Sequence, residues 1–71
     1  MTRQQQIAYD LCRSGAELRN RVLRAGYEAG VAGRPCPNTI DRTSPGYAAW
    51  MAGKATAAEN ADMDAEAMAN S

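Results

Sequence analysis

Large apolar side chains are scarce in this chain, and that scarcity limits its folding more than any other feature. Only seven residues are Ile, Leu or Val (Ile7, Leu11, Leu18, Val22, Leu23, Val31 and Ile40), there is no Phe, and fifteen alanines inflate the 45% hydrophobic fraction. A chain of 71 residues makes one small domain. At ~70–80 residues or below, a core rarely supplies more than ~3–5 kcal/mol. A thick core and a deep, self-contained catalytic pocket are therefore disfavoured. Ala- and Gly-rich helices in close contact, often completed by a partner, are favoured.

The pattern is helical. Thr2 is a candidate N-cap, with Gln5 three residues later to close a capping box. Ile7, Leu11, Leu18, Val22, Ala25 and Ala29 recur at spacings of four, seven, four, three and four, which is a 3.6-residue stripe. A second stripe holds Tyr9, Cys12, Ala16, Leu23 and Tyr27, and a charged edge of Asp10, Arg13, Glu17, Arg21, Arg24 and Glu28 runs between them. These patterns predict one long helix over residues 2–32. Its weak point is Ser14-Gly15-Ala16-Glu17, itself a capping box. Residues 33–43, with Gly33, Pro35 and Pro37, read as a loop. Ser44-Pro45 reads as an N-cap and first helical position.

The resulting expectation is an all-α helical hairpin. A long N-terminal helix and a shorter second helix, residues 45–59, are joined by a Pro-containing loop and followed by an acidic, flexible C-terminal tail. Residues 1–59 form the single helical domain and 60–71 the tail. Packed antiparallel, the shorter helix leaves Ile7, Tyr9, Leu11 and Cys12 uncovered. An exposed apolar patch usually marks an interaction site. Those four residues are thus a candidate protein interface, for a homodimer or another partner in preference to a fold-back at Ser14-Gly15. Gly30 and Gly53 each stand three residues after an aromatic ring, Tyr27 and Trp50. Gly in a helix interior costs ~1 kcal/mol relative to Ala, so close helix–helix approach is the simplest reason for both.

Net charge is zero but divided: residues 1–42 carry +3 and residues 43–71 carry −3. Such asymmetry suggests a basic working surface and an acidic tail. With no His and only Cys12 and Cys36, the chain lacks the four ligands of a structural zinc site. No metal or cofactor is expected. No apolar run approaches the ~18 residues that span a bilayer, and the polar N-terminus has no apolar leader segment. A cytoplasmic protein with free thiols and no membrane partner is expected.

Gly26-Tyr27-Glu28-Ala29-Gly30-Val31-Ala32-Gly33-Arg34, then Cys36-Pro37, then Trp50-x-x-Gly53 resemble the ribosome modulation factor family with its plasmid and phage relatives (the Rmf/CrpP group). The resemblance covers about residues 24–57. It implies two helices joined by a loop, and a non-catalytic protein that binds the small ribosomal subunit and its rRNA and down-regulates translation in hibernating ribosomes. Lys54 stands where the family usually has a second aromatic residue. The chain is also neutral where founding members are strongly basic.

Candidate contacts to rRNA, or to another partner, are Arg19, Arg21, Arg24, Arg34, Arg42 and Lys54 for phosphates, with Tyr27, Tyr47 and Trp50 for base stacking. Stacking is worth ~1–3 kcal/mol per base. Packing in a small core is the competing role for the rings. Two other function classes stand beside this one. The first is a small phage- or plasmid-encoded effector that binds and inhibits a host protein, served by the uncovered stripe. The second is catalysis, because a plasmid-borne relative has been described as an ATP-dependent fluoroquinolone-modifying enzyme. The chain has no G-x-x-x-x-G-K-[ST] loop and its glycines recur at helical spacing, so no catalysis and no small-molecule substrate are expected.

Overall fold

The computed structural model describes residues 1–69 in backbone and residues 1–61 in side chains. The chain is all-α, with three helices: α1 (Arg3–Arg13), α2 (Arg21–Val31) and α3 (Pro45–Ala69). The all-α expectation holds, whereas the single N-terminal helix does not. It breaks where the sequence marked its weak point, but by a different device. Ser14 is the C-cap of α1, and Gly15 follows with φ +78°, a left-handed conformation that stops the helix. The Ser14–Glu17 capping box does not form. Instead Asn20 caps α2, its Oδ1 accepting from the amides of Val22 (2.8 Å) and Leu23 (3.3 Å).

Other terminal signals behave as read. Thr2 and Gln5 make a reciprocal capping box. Gly33 ends α2 in the left-handed region, and the Arg34 amide donates to the Ala29 carbonyl at 2.8 Å, the long bond of a Schellman turn. Pro45 is the first residue of α3. Ser44, expected as its N-cap, turns its hydroxyl back onto the Asp41 carbonyl (2.7 Å). Residues 60–69 continue α3 in place of the expected separate tail. Residues 70–71, and the tail acids Asp62, Asp64 and Glu66 as side chains, lie outside what is described.

The packing is not an antiparallel hairpin. Helices α1 and α2 each lie against α3 and have little contact with each other. Gln5, early in α1, bonds to the carbonyls of Arg42 and Ser44 just before α3, while Arg13, at its end, reaches Thr56 and Glu59. Contacts between α2 and α3 advance in the same sense: Gly26 faces Gly46 and Trp50, and Gly30 faces Trp50, Gly53 and Lys54. All three helices therefore share a direction. The connections make this possible. Each eleven-residue helix is ~16 Å long. Seven residues (14–20) and thirteen (32–44) can both return that distance at up to ~3.3 Å per residue.

The core is made of small residues. Ala48, Ala49 and Ala52 are wholly inaccessible, Ala8, Cys12 and Ala29 nearly so, and among the described residues no large side chain is fully buried. Tyr9, Leu18, Leu23 and Tyr27 pack half-buried around Cys12, Ala49 and Ala52. The second sequence stripe thus supplies much of the core through Tyr9, Cys12, Leu23 and Tyr27, joined by Leu18 and Ala29 of the first. The rest of the first stripe's large side chains face outward: Ile7 is 59% exposed, Val22 50% and Leu11 39%. The expectation that the start of the first helix awaits a partner is corrected here for two of its four residues. A fold-back of α1 onto α3 covers Cys12 and Tyr9 and leaves Ile7 and Leu11 exposed. Helix α3 can serve both neighbours because Ala48, Ala49, Ala52 and Gly53 let the helix backbones approach closely.

Candidate nucleic-acid interface

The second connection, residues 32–44, carries most of the chain's loop chemistry back along α2 to the start of α3. Its course leaves an open cleft of about 390 Å³, lined by Pro35, Cys36, Pro37, Asn38, Ile40, Arg42, Tyr47 and Trp50. Tyr47 and Trp50 lie three apart on α3 and so share a side of the helix. Their ring centroids are 5.6 Å apart with planes tilted by 32°. The Trp50 indole N–H donates to the Arg34 carbonyl at 2.9 Å, fixing the ring against the end of α2. The Lys54 ammonium lies 4.6 Å from the Trp50 ring centroid. An exposed cation–π contact of this kind is worth ~0.5–1 kcal/mol.

Arg42 has two roles in space. It lines the first cleft, and with Met1, Gln5, Tyr47 and Met51 it lines a second of about 260 Å³. The turn that carries it is closed by Asp41, whose Oδ1 accepts from the Thr43 amide (3.0 Å) and hydroxyl (3.1 Å). Those bonds hold the Asp41 carboxyl below its ordinary range. The only acid between Arg34 and Lys54 is therefore already engaged by the loop's own donors.

The remaining candidates divide. Arg21 lines a third, mostly apolar groove with Val22, Ala25, Pro37, Thr39 and Ile40, adjoining the first cleft through Pro37 and Ile40. Arg24 pairs with Glu28 at 3.7 Å on the exposed face of α2. Arg19 is exposed in the first connection. Tyr27 does not join the other rings: it packs against the Cys12 cluster, with its hydroxyl 3.4 Å from Thr56 Oγ1. Of the nine candidates, Arg42, Tyr47, Trp50 and Lys54 come together, with the Arg34 backbone as their tether. Sequence reasoning missed Gln5, the buried polar residue that joins α1 to this loop. Its capping-box role was legible, but its two long-range bonds were not.

Both cysteines are free. Cys12 is buried, and burial raises its thiol pKa. Cys36 lines the cleft. Among the described residues no group of three or more His, Cys, Asp and Glu could hold a metal ion, and no helix is long and apolar enough to cross a membrane. The chain matches no family model, no curated protein and no solved structure.

Proposed function

We propose that this protein binds RNA through the Arg42–Tyr47–Trp50–Lys54 surface, without catalysis, and acts on the small ribosomal subunit to lower translation. The reading is supported by one observation above all: two adjacent aromatic rings open to a cleft and are flanked by Arg42 and Lys54. Aromatic rings lining a cleft, beside cations that neutralise phosphates, are the elements of single-strand binding. The resemblance in residues 24–57 supplies the ribosomal partner.

Trp50 is the only Trp in the chain, so its fluorescence reports on the proposed site directly. Titration with single-stranded RNA should quench it, and Tyr47→Ala with Lys54→Ala should weaken binding. A sucrose gradient of cells producing the protein should place it with small subunits or ribosome dimers. Absence from every ribosomal fraction, with no quenching by RNA, would sink the proposal.

The exposed Ile7 and Leu11, one turn apart on α1, favour a second reading: an effector that docks a host protein through α1. Leu11→Asp would abolish that activity and leave RNA binding intact.

A further inference from the structure

Gln5 is a buried polar side chain, only 6% exposed. Its amide is fully used. Oε1 accepts from the Thr2 amide at 2.9 Å, closing the capping box, and Nε2 donates to the carbonyls of Arg42 (2.8 Å) and Ser44 (3.3 Å). One end of Gln5 thus belongs to the start of α1 and the other to the turn that precedes α3. A capping box needs only the oxygen. The two N–H bonds span nearly forty residues of sequence and serve the turn alone. Buried polar groups cost free energy unless paired, so this donor holds the turn in one place relative to α1.

One of the bonded carbonyls is that of Arg42 itself, and the other lies two residues on at Ser44. Arg42 is the one residue that lines both clefts beside Tyr47, and Gln5 lines the second of them. We infer that Gln5 is a positioning residue that presents Arg42 to a phosphate of the bound strand. This rests on the RNA reading above. Gln5 itself touches no RNA. It acts by fixing the backbone from which the Arg42 guanidinium projects, so that Arg42 meets the strand beside Tyr47 and Trp50. Helix α1, which otherwise only packs its Cys12 against the alanines of α3, thereby becomes part of the binding apparatus.

The test uses the full chain, Trp50 fluorescence and a short mixed-sequence single-stranded RNA at several salt concentrations. Each phosphate neutralised on a single strand contributes ~0.7 to the slope of log affinity against log salt. Arg42→Ala should reduce that slope by about one such step. Gln5→Met, which keeps length and loses both donors, should do the same, and the double variant should bind like either single one. Gln5→Asn keeps a neutral amide that is one methylene too short to reach the two carbonyls, so it serves if Gln5→Met does not fold. Thr56→Ala loosens the far end of α1 and should leave the slope unchanged. If wild type binds RNA but the Gln5 variants keep its slope, or their loss adds in full to that of Arg42→Ala, the positioning role is wrong and the RNA reading survives. If wild type binds no RNA at any salt, the RNA reading fails and takes the role with it.

Discussion

At the residue scale, two kinds of glycine answer to different physics. Gly15 has open space where a Cβ would stand but a φ of +78°. Gly15→Ala should therefore cost ~1–2 kcal/mol through backbone strain alone. Gly30 has helical dihedrals and no space: a Cβ there would press into the Trp50 carbonyl oxygen and lie 2.8 Å from the Lys54 amide nitrogen and 3.0 Å from the Gly53 Cα. These are backbone atoms that can yield only if the helices part. Gly30→Ala should cost at least ~1–3 kcal/mol, and Gly30→Leu more. Urea titrations of the three variants check the ordering. The sequence placed Gly30 and Gly53 at the helix contact, and they are there. The groups that come closest to them are the carbonyl oxygens of Trp50 and Tyr27, not the rings of those residues. Thiol chemistry offers a parallel contrast. Cys12, buried and with its pKa raised, should resist alkylation in the native protein while Cys36 in the cleft reacts. Mass spectrometry before and after denaturation should find one label, then two.

At the element scale, the helix ends decide the topology. Asn20 caps α2 and Ser14 caps nothing ahead of it. Asn20→Ala should cost ~0.5–2 kcal/mol, and Ser14→Ala distinctly less. A larger loss at Ser14 than at Asn20 in thermal melts would restore the continuous first helix. The signals for the break were in the sequence: Gly15 after a Ser, then Asn20 before an apolar turn. They were outweighed by an apolar stripe that kept its phase from Ile7 to Ala29. That continuity does not mark one buried face, because the stripe faces solvent at Ile7, Leu11 and Val22 and turns inward only at Leu18 and Ala29. Periodicity gives a face but not which of two faces goes inward. Here the inward face had to match α3, whose buried residues are Ala and Gly, and Tyr9, Cys12, Leu18, Leu23 and Tyr27 meet it. The cleft was half legible for a similar reason. Tyr47, Trp50 and Lys54 share a helix, so their spacing foretold their proximity. Arg42 and Gln5 depend on how a thirteen-residue connection returns, which no local pattern encodes.

At the scale of the whole molecule, charge governs both stability and the proposed binding. With no His, no side chain of ordinary pKa titrates between about pH 5 and 8, and stability should be flat there. At the edges the signs differ. The lowered Asp41 carboxyl stabilises the fold above its unfolded pKa, and that contribution is lost as pH falls through the folded value. The raised Cys12 thiol favours the neutral form, so stability should fall as pH climbs past the thiol's ordinary 9.0. Cys12→Ala should remove the alkaline loss, read as the thermal midpoint against pH.

The acidic end of α3 supplies the last prediction. Deleting residues 60–71 removes Asp62, Asp64 and Glu66 and no base, leaving a formal net charge of +3. Glu59 is retained because it pairs with Arg13 and joins the end of α1 to α3. The deletion should tighten RNA binding, by an amount that distance controls. Residues 62–66 lie eight to twelve positions beyond Lys54 on the same helix, ~12–18 Å along its axis. The Debye length is ~10 Å at 0.1 M salt and ~30 Å at 0.01 M. The acids should therefore repel a bound strand at low salt and be screened near physiological salt. Affinity of the truncated protein should exceed that of the full chain several-fold at 0.01 M and converge with it as salt rises. A gain that persists undiminished in high salt would mean that residues 60–71 occlude the cleft by contact and not by charge.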